Sequence, residues 1–292
     1  MTKILSADEQ ETAKASAKKE ETYENFFKEI IKTVVYAVLI ATVFRTVLYE
    51  PFNIPSESML PTLMTGDYLL VSKMSYGYSH YSIPFSPNLF SGRILADDVE
   101  RGDIAVFKTP RDNDTDFIKR IVGLPGDRMQ MLGGQLFING EAVKKVRVED
   151  FVFTESENMH CGDHFNYRFP QADGTVECRY PQYRETLPNG RSHMTIDLKP
   201  NGRSDNIDMA FVVPAGHYFA MGDNRDNSQD SRVPVTIGGV GYVPAENLVG
   251  RAEVIFYSTN GNARLWEVWK WYGAARGNRF FMLLSPDEQA SE

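Results

Sequence analysis

One uninterrupted apolar run lies near the start of the chain, and short β-type runs punctuated by turn signals follow it. Within residues 30–48 the stretch Thr33-Val34-Val35-Tyr36-Ala37-Val38-Leu39-Ile40-Ala41-Thr42-Val43-Phe44 carries no charge, and Lys32 and Arg45 bound it. A helix of about 19 residues reaches roughly 28 Å, enough to cross the hydrocarbon layer. The bounding cations can snorkel to the headgroups. The pattern predicts a transmembrane helix over 30–48, with a buried helix of a soluble domain as the competing reading. A polar segment precedes the run, and no small-x-small site follows before Tyr49-Glu50-Pro51, unlike a cleavable signal peptide.

Beyond residue 50 the period shortens. Tyr68-Leu69-Leu70-Val71 and Ile104-Ala105-Val106-Phe107 read as strands, each after a Gly-Asp pair. Gln135-Leu136-Phe137-Ile138 runs into Asn139-Gly140, a hairpin signal because both turn positions need positive φ. Asn189-Gly190, Asn201-Gly202 and Asn260-Gly261 mark further turns. Phe211-Val212-Val213, Tyr218-Phe219-Ala220-Met221 and Glu253-Val254-Ile255-Phe256-Tyr257 complete a mainly β reading. No helical period of useful length falls between 51 and 260, and no repeat is visible. The expected organisation is a solvated, partly helical tail (1–29), the membrane helix (30–48), and a β domain built from 49–140 and 209–264. Residues 141–208 are more polar and read as a smaller inserted β subdomain, remote from any chemistry. An aromatic and polar tail (265–292) closes the chain.

Charge adds an orientation. Lys14, Lys18, Lys19, Lys28 and Lys32 precede the apolar core, whereas after Arg45 no basic residue occurs until Lys73. The positive-inside rule keeps the N-terminus in the cytoplasm and sends residues 51–292 outside. In a bacterium this is a single-pass protein of the plasma (inner) membrane with its β domain in the periplasm. The net charge of −8, without a basic cluster, argues against a nucleic-acid partner. In an oxidising compartment Cys161 and Cys178 can form one disulfide; free thiols, or a zinc site with His160 and His164, are the alternatives. Two aromatic stretches, residues 74–85 and 265–272, suit the bilayer interface or a core equally well.

Three polar segments carry candidate chemistry. The first is Pro55-Ser56-Glu57-Ser58-Met59-Leu60-Pro61-Thr62-Leu63, where apolar residues follow Ser58, unusual for a solvated loop. The second is Asp116-Phe117-Ile118-Lys119-Arg120-Ile121-Val122-Gly123-Leu124-Pro125-Gly126-Asp127. As a strand it puts Phe117, Lys119 and Ile121 on one face, so the Lys119 amine lies between apolar side chains and Arg120 points the other way, solvated or paired. Burial disfavours a charged amine, and a lysine whose pKa falls toward neutrality can act as a base. The third is Gly222-Asp223-Asn224-Arg225-Asp226-Asn227-Ser228-Gln229-Asp230-Ser231-Arg232. His80, His160, His164, His193 and His217 all lie outside the three segments, which weakens a Ser-His-Asp triad.

These segments, in this order and downstream of a membrane helix, resemble the type I signal peptidases (leader peptidases), a Ser–Lys dyad protease family. The resemblance covers most of residues 27–257; the Tyr- and Ser-rich stretch 75–92 and the C-terminal tail depart from it. It implies a signal-peptidase-like β domain carrying an inserted β subdomain, and a membrane-bound serine endopeptidase that cuts signal peptides from exported preproteins after small residues at −1 and −3. It implies Ser58 as nucleophile and Lys119 as general base, with an oxyanion hole from the Ser56 hydroxyl and the Ser58 N–H. By the same match Ser228 hydrogen-bonds and orients the Lys119 amine, and Gly222 allows close backbone approach. Asp223, Arg225, Asp230 and Arg232 hold the loop through ion pairs, Arg120 being a partner for Asp223. No metal and no cofactor is needed. The implied partners are preprotein signal peptides, the lipid bilayer and the protein-export machinery. Two rivals are a self-cleaving Ser–Lys repressor, which the membrane helix and acidic charge disfavour, and a non-catalytic membrane-anchored β domain that binds peptides in the cell envelope.

Overall fold

The computed structural model describes residues 7–84, 86–162, 165–199 and 206–284. It divides into two units, residues 1–46 and 47–292. The first is helix α1 (Ala7–Val47). Its stretch Tyr23–Val47 is long and apolar enough to cross a membrane. That stretch begins ahead of the expected residue 30, because Tyr23, Phe26 and Phe27 lengthen the apolar surface of the same helix. Hydroxyls inside it are satisfied locally: Thr33, Thr42 and Thr46 donate to the carbonyls of Glu29, Val38 and Thr42 at 2.8, 2.8 and 2.7 Å. In hydrocarbon an unmade hydrogen bond is costly, so this back-bonding makes threonine tolerable there.

The second unit is mainly β, as the short apolar runs and turn signals predict. Strands β1 (Tyr49–Asn53), β2 (Asp67–Ser72), β3 (Ile104–Lys108) and β4 (Asp116–Gly123) belong to an eight-stranded sheet. Its order is β1, β2, Leu248–Ser258, β3, β4, His217–Met221, Val243–Pro244, with Met282–Leu283 paired to Leu248–Ser258. Every pairing in it is antiparallel. Burial in β4 rises along the strand from exposed Asp116 to fully covered Ile121 and Val122.

Strand pairing crosses the expected domain boundaries. Glu141–Ala142 and Ile207–Val212 join Arg128–Leu132 and Gln135–Ile138 in a four-stranded sheet. Asn139 and Gly140 take φ of 57° and 86° and close the tight turn between Gln135–Ile138 and Glu141–Ala142. Two three-stranded sheets follow: Arg168–Pro170, Val176–Tyr180 and Phe151–Thr154; then Ser192–Ile196, Gln182–Thr186 and Lys144–Arg147. The turn expected at Asn201-Gly202 lies outside the described residues.

Packing distinguishes the two aromatic stretches. In the first aromatic stretch Tyr76 is 1% exposed and Tyr81 packs on the main core, so these two side chains follow the core reading. Phe85 lies outside the described residues. In the second, Trp271 stacks on Tyr257 at 4.5 Å, but Trp266 and Trp269 are 66% and 72% exposed. Cys161 and Cys178 form a disulfide. It is buried with Phe153, Met159, Tyr180, Ile196 and Leu198. His164, the more distal of the two histidines in the zinc alternative, lies outside the described residues.

Candidate active site

Ser58 heads a tight turn that is held from two sides. The Leu60 N–H donates to Glu57 O at 3.2 Å and the Leu63 N–H to Met59 O at 2.9 Å. Met59 and Leu63 enter the core with Ile54, Leu69 and Val71, while Leu60 turns into the cluster around the disulfide. All three are fully buried. The apolar residues after Ser58 thus anchor the turn, and Ser58 borders a cleft of about 540 Å³ that Ser56, Phe117, Lys119 and Ser228 also line.

Lys119 comes from β4 and is 4% exposed. Its Nζ donates to Ser58 Oγ at 2.7 Å and to Ile118 O at 2.9 Å, and lies 5.3 Å from the centre of the Phe117 ring. Among the described residues no carboxylate pairs with it. Burial pushes the amine down from 10.5 to about 8, and the charges of Asp230 and Asp223 pull it back only in part. A neutral amine this close to a hydroxyl can take its proton. Ser56 Oγ lies 3.4 Å from Ser58 Oγ.

Arg120, the next residue, faces the other way and is buried, not solvated. Its Nε and Nη2 bind the two Asp223 oxygens at 2.8 and 2.7 Å, and its Nη1 donates to Gly102 O at 2.8 Å. The third segment is pinned elsewhere as well. Arg232 binds both Asp230 oxygens at 2.9 and 2.8 Å. Burial opposes ionisation of Asp230, yet Arg232 and the Gly222 N–H outweigh it and hold its pKa below the ordinary value. Arg225 pairs bidentately with Glu185 at 2.7 and 2.5 Å.

Gly222 is packed without slack: a Cβ there would stand 2.3 Å from Ser228 Oγ and 2.5 Å from Ser58 O. Ser228 lines the same cleft as the amine, but its hydroxyl acts on Asp230, whose pKa it helps to lower, and the Lys119 contacts go to Ser58 and Ile118 instead.

Four further residues join the site without a sequence signal of their own. Thr62 donates to Asp223 Oδ2 at 2.6 Å. Asn224 holds the Ser58 turn, its N–H donating to Ser58 O and its side chain to Glu57 O, both at 3.1 Å. Glu185 and His193 come from the inserted segment. The neutral state of His193 is favoured by burial and by the neighbouring Arg120 and Arg225, which hold its pKa well below the ordinary histidine value. The insert is therefore not remote from the site: Ile196 bridges to Asn224 in a parallel pair, and its sheet supplies the partner of Arg225. The reason is tertiary, since Gln182–Thr186 and Ser192–Ile196 fold back onto the 223–232 loop.

Comparison with known proteins defines the family. The chain belongs to the family described as "Signal peptidase, peptidase S26", whose model matches residues 27–257. Among individual relatives, the Signal peptidase I of Rickettsia conorii is 39% identical over 223 residues, spanning 74% of each chain. The Signal peptidase I of Rickettsia typhi is 38% identical over 225 residues, 74% of this chain and 75% of that one. The crystal structure of a signal peptidase I from Enterococcus faecalis V583 aligns to 53% of this chain and 97% of its own, at 22% identity and a TM-score of 0.27.

Proposed function

We infer that this chain is a serine endopeptidase that removes signal peptides from preproteins, with Ser58 as nucleophile and Lys119 as general base. The observation that carries the assignment of roles is the 2.7 Å contact between Lys119 Nζ and Ser58 Oγ, made by a buried amine with no carboxylate partner among the described residues. Such an amine is neutral often enough near pH 8 to accept the serine proton.

The substrate is an extended segment with small residues at −1 and −3. Residues 116–119 of β4 pair with β3 on one edge, whereas His217–Met221 covers only residues 120–123 on the other. A peptide strand added to the open edge would present its scissile carbonyl to Ser58. Ser58 Oγ attacks that carbonyl as its proton passes to Lys119 Nζ. The oxyanion is held by the Ser56 hydroxyl and the Ser58 N–H. Lys119 returns the proton to the departing amine, leaving an ester on Ser58; water, deprotonated by Lys119, then hydrolyses it. Gly222 lets the 223–232 loop close on Ser58, and Ser228 borders the amine as a supporting hydroxyl.

The bilayer is a partner through α1. The lysines before the apolar stretch keep the N-terminus cytoplasmic and the β domain on the outer side of a bacterial plasma membrane. Exposed Trp266 and Trp269 offer that domain an interfacial contact.

Cleavage of a purified preprotein in detergent by the full chain, Ser58→Ala and Lys119→Ala tests the roles. One cut after a small residue by the wild type, and none by either folded variant, is expected. Variants that cut as fast as the wild type would remove the dyad. Protease protection of the β domain in sealed, right-side-out vesicles would reverse the orientation.

A further inference from the structure

We propose that Glu185 and His193 of the inserted segment are positioning residues for the reaction: they hold Ser58 against Lys119 by fixing the 223–232 loop. This rests on the reading of Ser58 and Lys119 as the reacting pair.

The loop is gripped from two directions. On the insert side, the Ile196 N–H donates to Asp223 O and the Arg225 N–H to Ile196 O, both at 2.9 Å. Arg225 takes both Glu185 oxygens, with both partners 1% exposed. Asp226 Oδ2 accepts the N–H groups of Leu198 and Lys199 at 2.5 and 2.9 Å. On the Ser58 side, Asn224 holds the carbonyls of Ser58 and Glu57, and Asp223 holds Thr62 and Arg120.

His193 lies between the two sets. Its Nε2 is 3.8 Å from Glu185 Oε2 and 4.0 Å from Asp223 Oδ1, and the side chain is 1% exposed. It therefore spaces the Arg225–Glu185 pair from the Arg120–Asp223 pair. Among the described residues neither ring nitrogen has a hydrogen-bond partner, so its role here is to fill and separate rather than to donate.

Displacement on the insert side has a direct route to Ser58. Bidentate contacts fix both distance and angle at Arg225. The next residue back, Asn224, is bonded to the Ser58 carbonyl. Gly222 leaves no room for the loop to relax inward, as the 2.5 Å approach of a Cβ to Ser58 O shows. A shift of about 1 Å between reacting groups can cost on the order of 100-fold in rate.

The test uses the full chain in detergent and compares kcat with KM for a preprotein substrate. Glu185→Gln alone strands a buried guanidinium, so the informative variant is Glu185→Gln with Arg225→Met, which removes both charges and avoids that penalty. Its kcat is expected to fall about 10- to 100-fold with KM within about twofold, while the melting temperature stays near wild type. His193→Ala, which strands no charge, is expected to lower kcat about tenfold in the same pattern and keeps the test decisive if the double variant does not fold. Wild-type kcat in a folded double variant or in His193→Ala would overturn the proposal, as would a loss that appears only in KM. Ser58→Ala measured beside them separates the two readings. If it still cleaves, the assignment of the reacting pair fails; if it is inert while the insert variants turn over normally, only the positioning role fails.

Discussion

Lys119 and Arg120 are neighbours on one strand, both are cations, and both are buried, at 4% and 0% exposed. Their surroundings differ completely. Arg120 meets both oxygens of Asp223 and a backbone carbonyl, with Thr62 donating to the same carboxylate. Lys119 meets one hydroxyl and one carbonyl. The alternation of a β-strand makes this possible, because consecutive side chains enter different environments. A buried charge with a matched carboxylate stays charged; a buried amine without one becomes easy to deprotonate. The contrast teaches how a protein can prepare a base: the fold places the counter-ion one residue away, on the face where it holds the loop, and leaves the Lys119 amine, the base of the proposed mechanism, without it.

The largest effect expected from breaking this contrast lies on the paired side. Asp223→Asn leaves Arg120 buried without its counter-charge and should destabilise the β domain by about 3–5 kcal/mol. Chemical denaturation reads this directly, and a loss below about 1 kcal/mol would mean that Arg120 finds another partner. On the unpaired side the sign reverses. Because the Lys119 pKa falls from 10.5 to about 8 on folding, its favourable share of stability is complete only above the unfolded value and is lost as pH drops toward 8. At pH 7 the wild type therefore carries the whole burial penalty. Lys119→Met should abolish cleavage yet raise stability at pH 7 by about 3 kcal/mol, a gain that fades as pH approaches 10.5. A destabilised Lys119→Met protein would contradict this account. The smallest and most direct measure is the pH profile of kcat/KM. It should rise about tenfold per unit below the Lys119 value of about 8 and level off above it, whereas a flat profile from about pH 6 to 9 would exclude this amine as the base.

Much of this site could be read from local patterns. Alternation puts Lys119 and Arg120 on opposite faces, and the apolar residues after Ser58 mark a stretch unlike a solvated loop. Strands at 68–71, 104–107 and 135–138 were legible for the same reason: their apolar runs and turn residues are local. Glu185 and His193 were not legible, because nothing near them differs from an ordinary polar strand, and their role arises only when the insert folds back on the 223–232 loop. Arg120 had two open outcomes, solvated or paired, since the strand pattern fixes a direction but not what stands there. The aromatic stretch 74–85 left two readings open for a different reason. Tyrosines suit both a membrane interface and a core, and only packing separated Tyr76 and Tyr81 from exposed Trp266 and Trp269.

The half-covered edge of β4 has a consequence for when cleavage can occur. Within 116–119 the alternate residues Asp116 and Ile118 turn their backbone groups away from β3 and meet no strand there among the described residues; Ile118 O accepts from the Lys119 amine. Only a chain with its own backbone groups unspent can complete that edge. A segment already coiled into a helix, or locked within a finished sheet, has nothing to offer it. On this reading the edge acts as a conformational filter: it admits the region around the cleavage point while that region is still unwound, and it passes over the same sequence once the mature protein has folded.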